Sequence, residues 1–183
     1  MRHICLAAAV LLAAPLAASA DEISDSIEAA LAAYNGGDVA GAKDELDYAS
    51  QLLGQMKAQG MTDFLPPARD GWEREVDEPQ SAAAFGGGVV AGATYTNGSD
   101  DVTVQLMADN AMVASMGAMF GSTAMMGSMG RLTRIGGEKF VSADGQITGF
   151  IGGRVLVQVS GSAPEAEKVA YLEMMDFDAL KDF

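Results

Sequence analysis

The sequence is poor in the residues that most enzymes use, because its single cysteine, Cys5, and its single histidine, His3, both lie within the first five positions. Residues 1–20 have the form of a secretory signal peptide: a short basic start, an apolar run and small residues at positions 18–20. We expect cleavage after residue 20. The exported product would then lack disulfides, thiolate nucleophiles, histidine-based catalytic triads and Cys/His zinc sites.

An uncleaved membrane anchor is the alternative interpretation of the same segment. The apolar run is short for a bilayer span and contains Pro15. No cysteine follows the expected cleavage point, so a lipid-anchored product is not indicated either. The sequence therefore predicts a periplasmic protein, or alternatively an extracellular one, with no stable membrane anchor after signal cleavage.

Basic residues are also scarce, with 11 Lys+Arg against 25 Asp+Glu in 183 residues. A surface of that sign repels phosphate backbones and anionic lipid headgroups, so nucleic-acid binding is excluded as a function. Hydrophobic residues make up 49% of the chain, which is enough for a folded core. The composition thus indicates an acidic globular protein.

Residues 21–58 show a helical pattern in two parts. Apolar residues recur at helical spacing on either side of an Asn-Gly-Gly-Asp interruption at 35–38. The first stripe is Ile23, Ile27, Leu31 and Tyr34, and the second is Val39, Ala42, Leu46, Ala49, Leu53 and Met56. Two such stripes joined by a short turn predict an antiparallel helical hairpin.

This segment carries small, aromatic, turn and packing residues in a characteristic order: Ala30, Tyr34, Gly37, Asp38, Ala42, Leu46 and Ala49. In these positions it resembles a single tetratricopeptide repeat. The resemblance implies a hairpin that presents an interaction surface. No second copy follows, and a repeat array needs about three units for a continuous core. We therefore expect a lone hairpin that docks on the rest of the protein.

Residues 59–87 are predicted to be a connector, because they are rich in proline and glycine. The only tryptophan, Trp72, lies in this segment. A tryptophan in such a place usually fixes the segment to an apolar surface by burying its ring. Contact with a ligand or partner is the alternative, and Trp72 and Tyr34 are the candidate partner-binding side chains.

Residues 88–183 show the alternation of apolar and polar residues that is typical of strands. Asn97-Gly98 predicts a hairpin turn between the first two strands. A helix is expected after Asp109, four further strands between residues 132 and 160, and a final helix after Pro164. The fold class is therefore α+β: the N-terminal hairpin, then a mainly antiparallel sheet with two helices on one face.

Methionine is concentrated in one region. Seven of the 12 methionines lie between positions 107 and 129: Met107, Met112, Met116, Met119, Met125, Met126 and Met129. Helical spacing places the sulfurs of Met112, Met116 and Met119 on one side of the predicted helix. Thioethers are soft ligands that suit Cu(I), so these three residues form a candidate copper site. Core packing is the preferred interpretation, and an adaptable groove for a partner helix or lipid is a third.

Paired acids supply the remaining chemical candidates. Asp176 and Asp178 lie near the C-terminus, and Asp100 and Asp101 lie in a predicted turn. General acid–base catalysis needs a buried carboxyl group with a raised pKa, and nothing in the spacing indicates one. The sequence predicts a non-enzymatic binding or accessory protein of the bacterial cell envelope, without a cofactor, that engages a partner protein or an apolar ligand. A periplasmic Cu(I)-binding protein is the first alternative, and a carboxylate-only hydrolase is the second.

Overall fold

The structure is a computed structural model, and it describes residues 16–81, 87–120 and 122–183. For residues 16–20, 112 and 118–120 it describes the backbone alone. Most of the predicted signal peptide, with Cys5 and His3, therefore lies outside the described residues. The chain divides into two compact units, Met1–Leu52 and Leu53–Phe183.

The first unit contains two helices joined by a tight turn. Helix α1 is Leu16–Asn35, and α2 is Val39–Met61, of which residues 39–52 belong to this unit. The turn depends on Gly37, whose φ of 82° is a backbone conformation that glycine adopts without steric cost. Asp38 then caps α2, because its side chain accepts a hydrogen bond of 2.9 Å from the amide of Gly41.

Small side chains form the buried side of this hairpin. Ala30 on α1 and Ala42 and Ala49 on α2 are each less than a tenth exposed. The hydroxyl of Tyr48 also donates a hydrogen bond to the carboxylate of Glu22, which joins α2 to the start of α1. The predicted apolar stripes are divided: Ile23, Ala42 and Ala49 are buried, whereas five larger residues are exposed, namely Ile27, Leu31, Tyr34, Val39 and Leu46.

The second unit is built on one antiparallel sheet of eight strands. Its order is β1-β3-β4-β8-β7-β6-β5, and β2 pairs with β3. The strands are β1 Glu73–Val76, β2 Gln80–Ser81, β3 Val89–Asn97, β4 Asp100–Ala108, β5 Arg131–Ile135, β6 Glu138–Ala143, β7 Gln146–Ile151 and β8 Val155–Ser160. The predicted connector thus supplies β1 and β2, and Asn97 and Asp100 pair at the predicted hairpin turn.

One face of the sheet carries the main core. The final part of α2, a 3₁₀ turn (Thr62–Phe64), α5 (Glu165–Glu173) and α6 (Phe177–Lys181) contribute residues at this face. The largest core residues include Tyr95, Leu106, Phe140, Ile147, Tyr171, Leu172 and Leu180. The side chain of Tyr95 is fixed by a hydrogen bond of 2.6 Å from its hydroxyl to the carbonyl of Pro66.

Two more helices lie at the opposite face of the sheet. These are α3, Ala111–Phe120, and α4, Thr123–Met129. Met126 of α4 is buried against Val141 of β6, and Val141 points away from its core-facing neighbour Phe140. The α+β fold class is confirmed, but helices cover both faces of the sheet and not one. The reason is that β4, β6 and β8 carry apolar side chains on both sides.

Among the residues that the structure describes, no helix combines the length and the apolar character needed to cross a membrane.

Candidate functional site

A patch of side chains on the second face of the sheet forms the floor of a cleft. Met107 of β4 pairs directly with Leu156 of β8. Thr148 of β7 pairs with Gln158 of β8 on one side and with Val141 of β6 on the other. Strand neighbours that share a face lie about 5 Å apart, so these residues form one continuous surface.

Helices α3 and α4 form the wall of the cleft. Val113 and Met116 line it from α3, and Met129 lines it from α4. Close approach of α3 to the sheet requires a glycine at position 117, because a Cβ there would lie 2.7 Å from the ring of Phe150. Ser122 caps the start of helix α4, because its side chain accepts a hydrogen bond from the amide of Met125.

The cleft has a volume of about 420 Å³. Its residues divide into an apolar part and a polar end. The apolar part consists of Met107, Val113, Met116, Met129, Val141, Ala143 and Leu156, and the polar end of Asp144, Gln146, Thr148 and Gln158. At the polar end, the Nε2 of Gln146 donates a hydrogen bond of 3.1 Å to the Oγ1 of Thr148. Asp144 and Met129 are exposed and mark the opening to solvent.

This arrangement suits recognition of an apolar molecule. The volume falls within the range of small-molecule sites, about 300–1,000 Å³, which are mostly apolar with a few placed polar groups. Of the described residues that line the cleft, Asp144 alone is ionisable. Because Asp144 is also exposed, the lining does not supply the buried acid–base pair that proton-transfer catalysis requires.

The methionines of the predicted cluster have different surroundings. Met126 is 1% exposed and belongs to the packed interior, against which Met116 also packs. Met107, Met116 and Met129 line the cleft, whereas Met125 is 47% exposed and is not among its lining residues. The side chains of the other two predicted copper ligands, Met112 and Met119, lie outside the described ones.

Sequence reasoning did not select Met107 or Leu156 as site residues. Both are in strands, and helical spacing relates only residues within one helix. A signal was present in the alternation of β4, where Met107 lies between the core-facing residues Leu106 and Ala108. A large apolar residue in that position indicates that the second face of the sheet is also covered.

The candidate partner-binding residues have different environments. The ring of Trp72 packs edge-on against Tyr171, with ring centroids 5.7 Å apart, and Trp72 adjoins the main core. This contact matches the structural interpretation of Trp72. Tyr34, in the first unit, is 67% exposed.

The paired acids have structural contacts. Asp176 caps α6 by accepting a hydrogen bond of 2.9 Å from the amide of Ala179. Asp178 pairs with Lys181 at 2.8 Å, which lowers the pKa of the Asp178 carboxyl. Hydrogen bonds from Ser162 likewise lower the pKa of Asp101. A general acid would need the opposite shift.

No protein-family model, curated protein or solved structure matches this chain. The tetratricopeptide resemblance therefore stays a prediction.

Proposed function

We propose that this chain is an exported, non-enzymatic binding protein of the bacterial cell envelope, and that its cleft takes an apolar ligand. The observation that supports this most is the composition of the cleft, which has a volume of about 420 Å³ and is lined by seven apolar side chains. Burial of a ligand against such a surface is favourable by about 25 cal/mol per Å² of apolar area. The signal-peptide pattern of residues 1–20 supports export.

The polar end of the cleft defines the ligand class further. Gln146, Thr148 and Gln158 offer hydrogen-bonding groups beside the apolar wall, and Asp144 adds a negative charge at the opening. The chain as a whole carries a formal net charge of −14. Because like charges repel, the preferred ligand is a neutral or cationic amphiphile with a compact polar group, and not a fatty acid or a phosphorylated lipid.

Methionine suits this role because its unbranched side chain and polarisable sulfur adapt to ligands of different shape. Met107, Met116 and Met129 come from a strand and two different helices and meet at one cleft. The same convergence supports the copper alternative, since thioethers are ligands for Cu(I). Apolar binding is preferred because four of the seven apolar lining residues carry no sulfur.

A fluorescent apolar probe tests the proposal. N-phenyl-1-naphthylamine is neutral, and its emission rises in an apolar site. We expect saturable binding to the protein, purified in the form that the producing cell leaves after processing. The Met129→Gln variant should bind about fivefold to tenfold more weakly, because one apolar contact is lost.

Met125→Gln is the matched control. Met125 lies on the same helix and is similarly exposed, but it does not line the cleft. It should bind the probe as the parent protein does. Equal weakening in both variants, or no saturable binding to the parent, would contradict the proposal.

A further inference from the structure

The first unit exposes a row of large apolar side chains on each of its helices. Ile27, Leu31 and Tyr34 on α1, and Val39 and Leu46 on α2, are 47 to 67% exposed. We call these five residues the hairpin face. They belong to different elements from those that line the cleft.

The two rows lie on the same side of the hairpin. An α-helix turns by about 100° per residue, so a step of four residues advances about 40° around the axis. Ile27 is four residues after the buried Ile23, and Leu46 is four residues after the buried Ala42. Both exposed residues are therefore displaced from the buried ones in the same direction around their helix axes. The turn at Gly37 and the hydrogen bond between Tyr48 and Glu22 make the two helices run in opposite directions, so both rows lie on the same side of the buried residues.

The charges around the hairpin face are nearly all negative. Residues 21–52 contain eight acidic side chains and one basic side chain, Lys43, which is paired with Asp47. Glu28 follows Ile27 directly, and Asp47 follows Leu46, so both acids lie toward the outer borders of the face. A molecule bound there would meet an apolar centre with acidic borders.

This charge pattern selects among possible occupants. Residues 21–52 carry a net charge of −7, so two copies of the hairpin would repel each other. An anionic membrane would be repelled for the same reason. An amphipathic helix with a basic polar side satisfies both features, because its apolar side fits between two helices and its Lys or Arg residues reach the acidic borders.

We propose that the hairpin face is a docking site for a cationic amphipathic helix of a partner protein. The inference rests on the proposed binding function, but it does not depend on the ligand of the cleft. The apolar rows supply the contact area, and the acidic borders set the orientation and charge of the partner.

A labelled peptide tests this surface in the complete protein. The probe is an amphipathic Leu/Lys peptide of about 18 residues, long enough to form a helix, and its binding is followed by fluorescence anisotropy. Peptides of the same composition in scrambled order, and of Leu/Glu composition, serve as controls. We expect binding of the ordered Leu/Lys peptide alone, and weaker binding as salt is raised.

Three variants test whether the peptide binds at the hairpin face. The Leu31→Gln/Leu46→Gln double variant should weaken peptide binding at least about tenfold, since two buried leucine contacts are lost. Leu132→Gln, an exposed leucine in the second unit, should leave binding unchanged. Glu28→Lys should weaken binding and reduce its salt dependence. All three replace exposed side chains, and circular dichroism should show unchanged folding.

Each contrary result has a defined meaning. If the scrambled peptide binds equally well, net charge alone explains the binding, and the helix proposal is overturned. Self-association that disappears in the Leu31→Gln/Leu46→Gln variant would identify a second copy as the occupant and would also overturn it. Met129→Gln should weaken binding of the apolar probe but not of the peptide, so failure of the cleft and failure of the hairpin face are distinguishable.

Discussion

Met107 and Leu156 are direct partners across β4 and β8, and both belong to the floor of the cleft. Their neighbours Leu106 and Val157 are also partners, but they belong to the main core on the other side of the sheet. Successive strand residues point to opposite faces. The same two strands therefore build the folding core with one set of side chains and the floor of the cleft with the other.

Gly117 of α3 and Gly127 of α4 provide a matched test of how closely α3 packs on the sheet. A Cβ at position 117 would lie 2.7 Å from the Phe150 ring, whereas a Cβ at 127 would meet nothing within 4 Å. Gly127→Ala should raise the free energy of unfolding by about 0.5–1 kcal/mol through helix propensity. Gly117→Ala should be at least about 1 kcal/mol less stable than Gly127→Ala, because either α3 or the Phe150 ring must shift. Urea denaturation measures both, and equal stabilisation would contradict the close contact.

Tyr95 should make the stability of the second unit sensitive to alkaline pH. Burial raises the pKa of Tyr95 to about 12, so the folded protein favours the neutral phenol. The stabilisation is complete below the ordinary tyrosine pKa of about 10 and is lost as the pH rises from there to about 12.

The variant Tyr95→Phe separates this effect from the rest of the alkaline transition. At pH 7 it should lower the free energy of unfolding by about 1–2 kcal/mol, because the Pro66 carbonyl loses its hydrogen bond. Its stability should then fall less steeply between pH 10 and 12 than that of the parent. Tyr34→Phe, at an exposed position, is the control and should change neither quantity. Identical alkaline profiles for all three proteins would refute the role given to Tyr95.

Asp109 connects three parts of the second unit. Its carboxylate pairs with Lys57 of α2 and with Arg154, which precedes β8, and these contacts lower the pKa of the Asp109 carboxyl. The stabilisation is present above the ordinary aspartate pKa and is lost as the pH falls through the lowered folded-state value. Asp109→Asn should therefore cost about 0.5–1 kcal/mol at pH 7, and this cost should decrease as the pH falls below the ordinary aspartate pKa of about 4.

Asp144→Asn is the control for this substitution. Asp109 and Asp144 have φ angles of 53° and 50°, a region in which asparagine is tolerated, so backbone strain is equal in the two variants. Asp144 is exposed in a turn, and its substitution should change the stability by less than about 0.5 kcal/mol. A loss at Asp109 that does not diminish in acid would show that the charge is not responsible.

The strands of the second unit were predictable because alternation is a local signal. The pairing of Asn97 with Asp100 confirms the turn predicted from Asn97-Gly98. Strands β1 and β2 were missed, since β1 has four exposed residues and β2 has only two residues in all. Their pairing with β3 depends on a long-range contact that local patterning does not encode.

The candidate site was less predictable than the fold. Sequence reasoning identified the methionine-rich region, but it grouped residues by helical spacing and so chose Met112, Met116 and Met119. The cleft instead combines Met116 with Met107 from β4, a contact that depends on how α3 packs on the sheet. In the hairpin, periodicity found both apolar rows, but of the first row only Ile23 is buried, and Ala30, which lies outside that row, is buried as well.

The copper alternative makes a separate prediction. The Met112→Leu/Met116→Leu/Met119→Leu triple variant removes three sulfurs while keeping apolar character and similar volume. If the cleft binds apolar ligands, this variant should retain binding of the fluorescent probe within about threefold. Anaerobic Cu(I) titration should show no tight binding that the substitutions abolish. Sub-micromolar Cu(I) binding that is lost in a folded triple variant would favour the metal function.

The most direct measurement is methyl NMR of protein labelled with ¹³C at the methionine methyl groups, titrated with N-phenyl-1-naphthylamine. We expect the signals of Met107, Met116 and Met129 to shift together and to saturate. The signals of Met125 and Met174, which are exposed but do not line the cleft, should stay in place. Shifts at Met125 or Met174 equal to those at the three lining methionines, or no shifts at the latter, would contradict the assignment of the cleft as a ligand site.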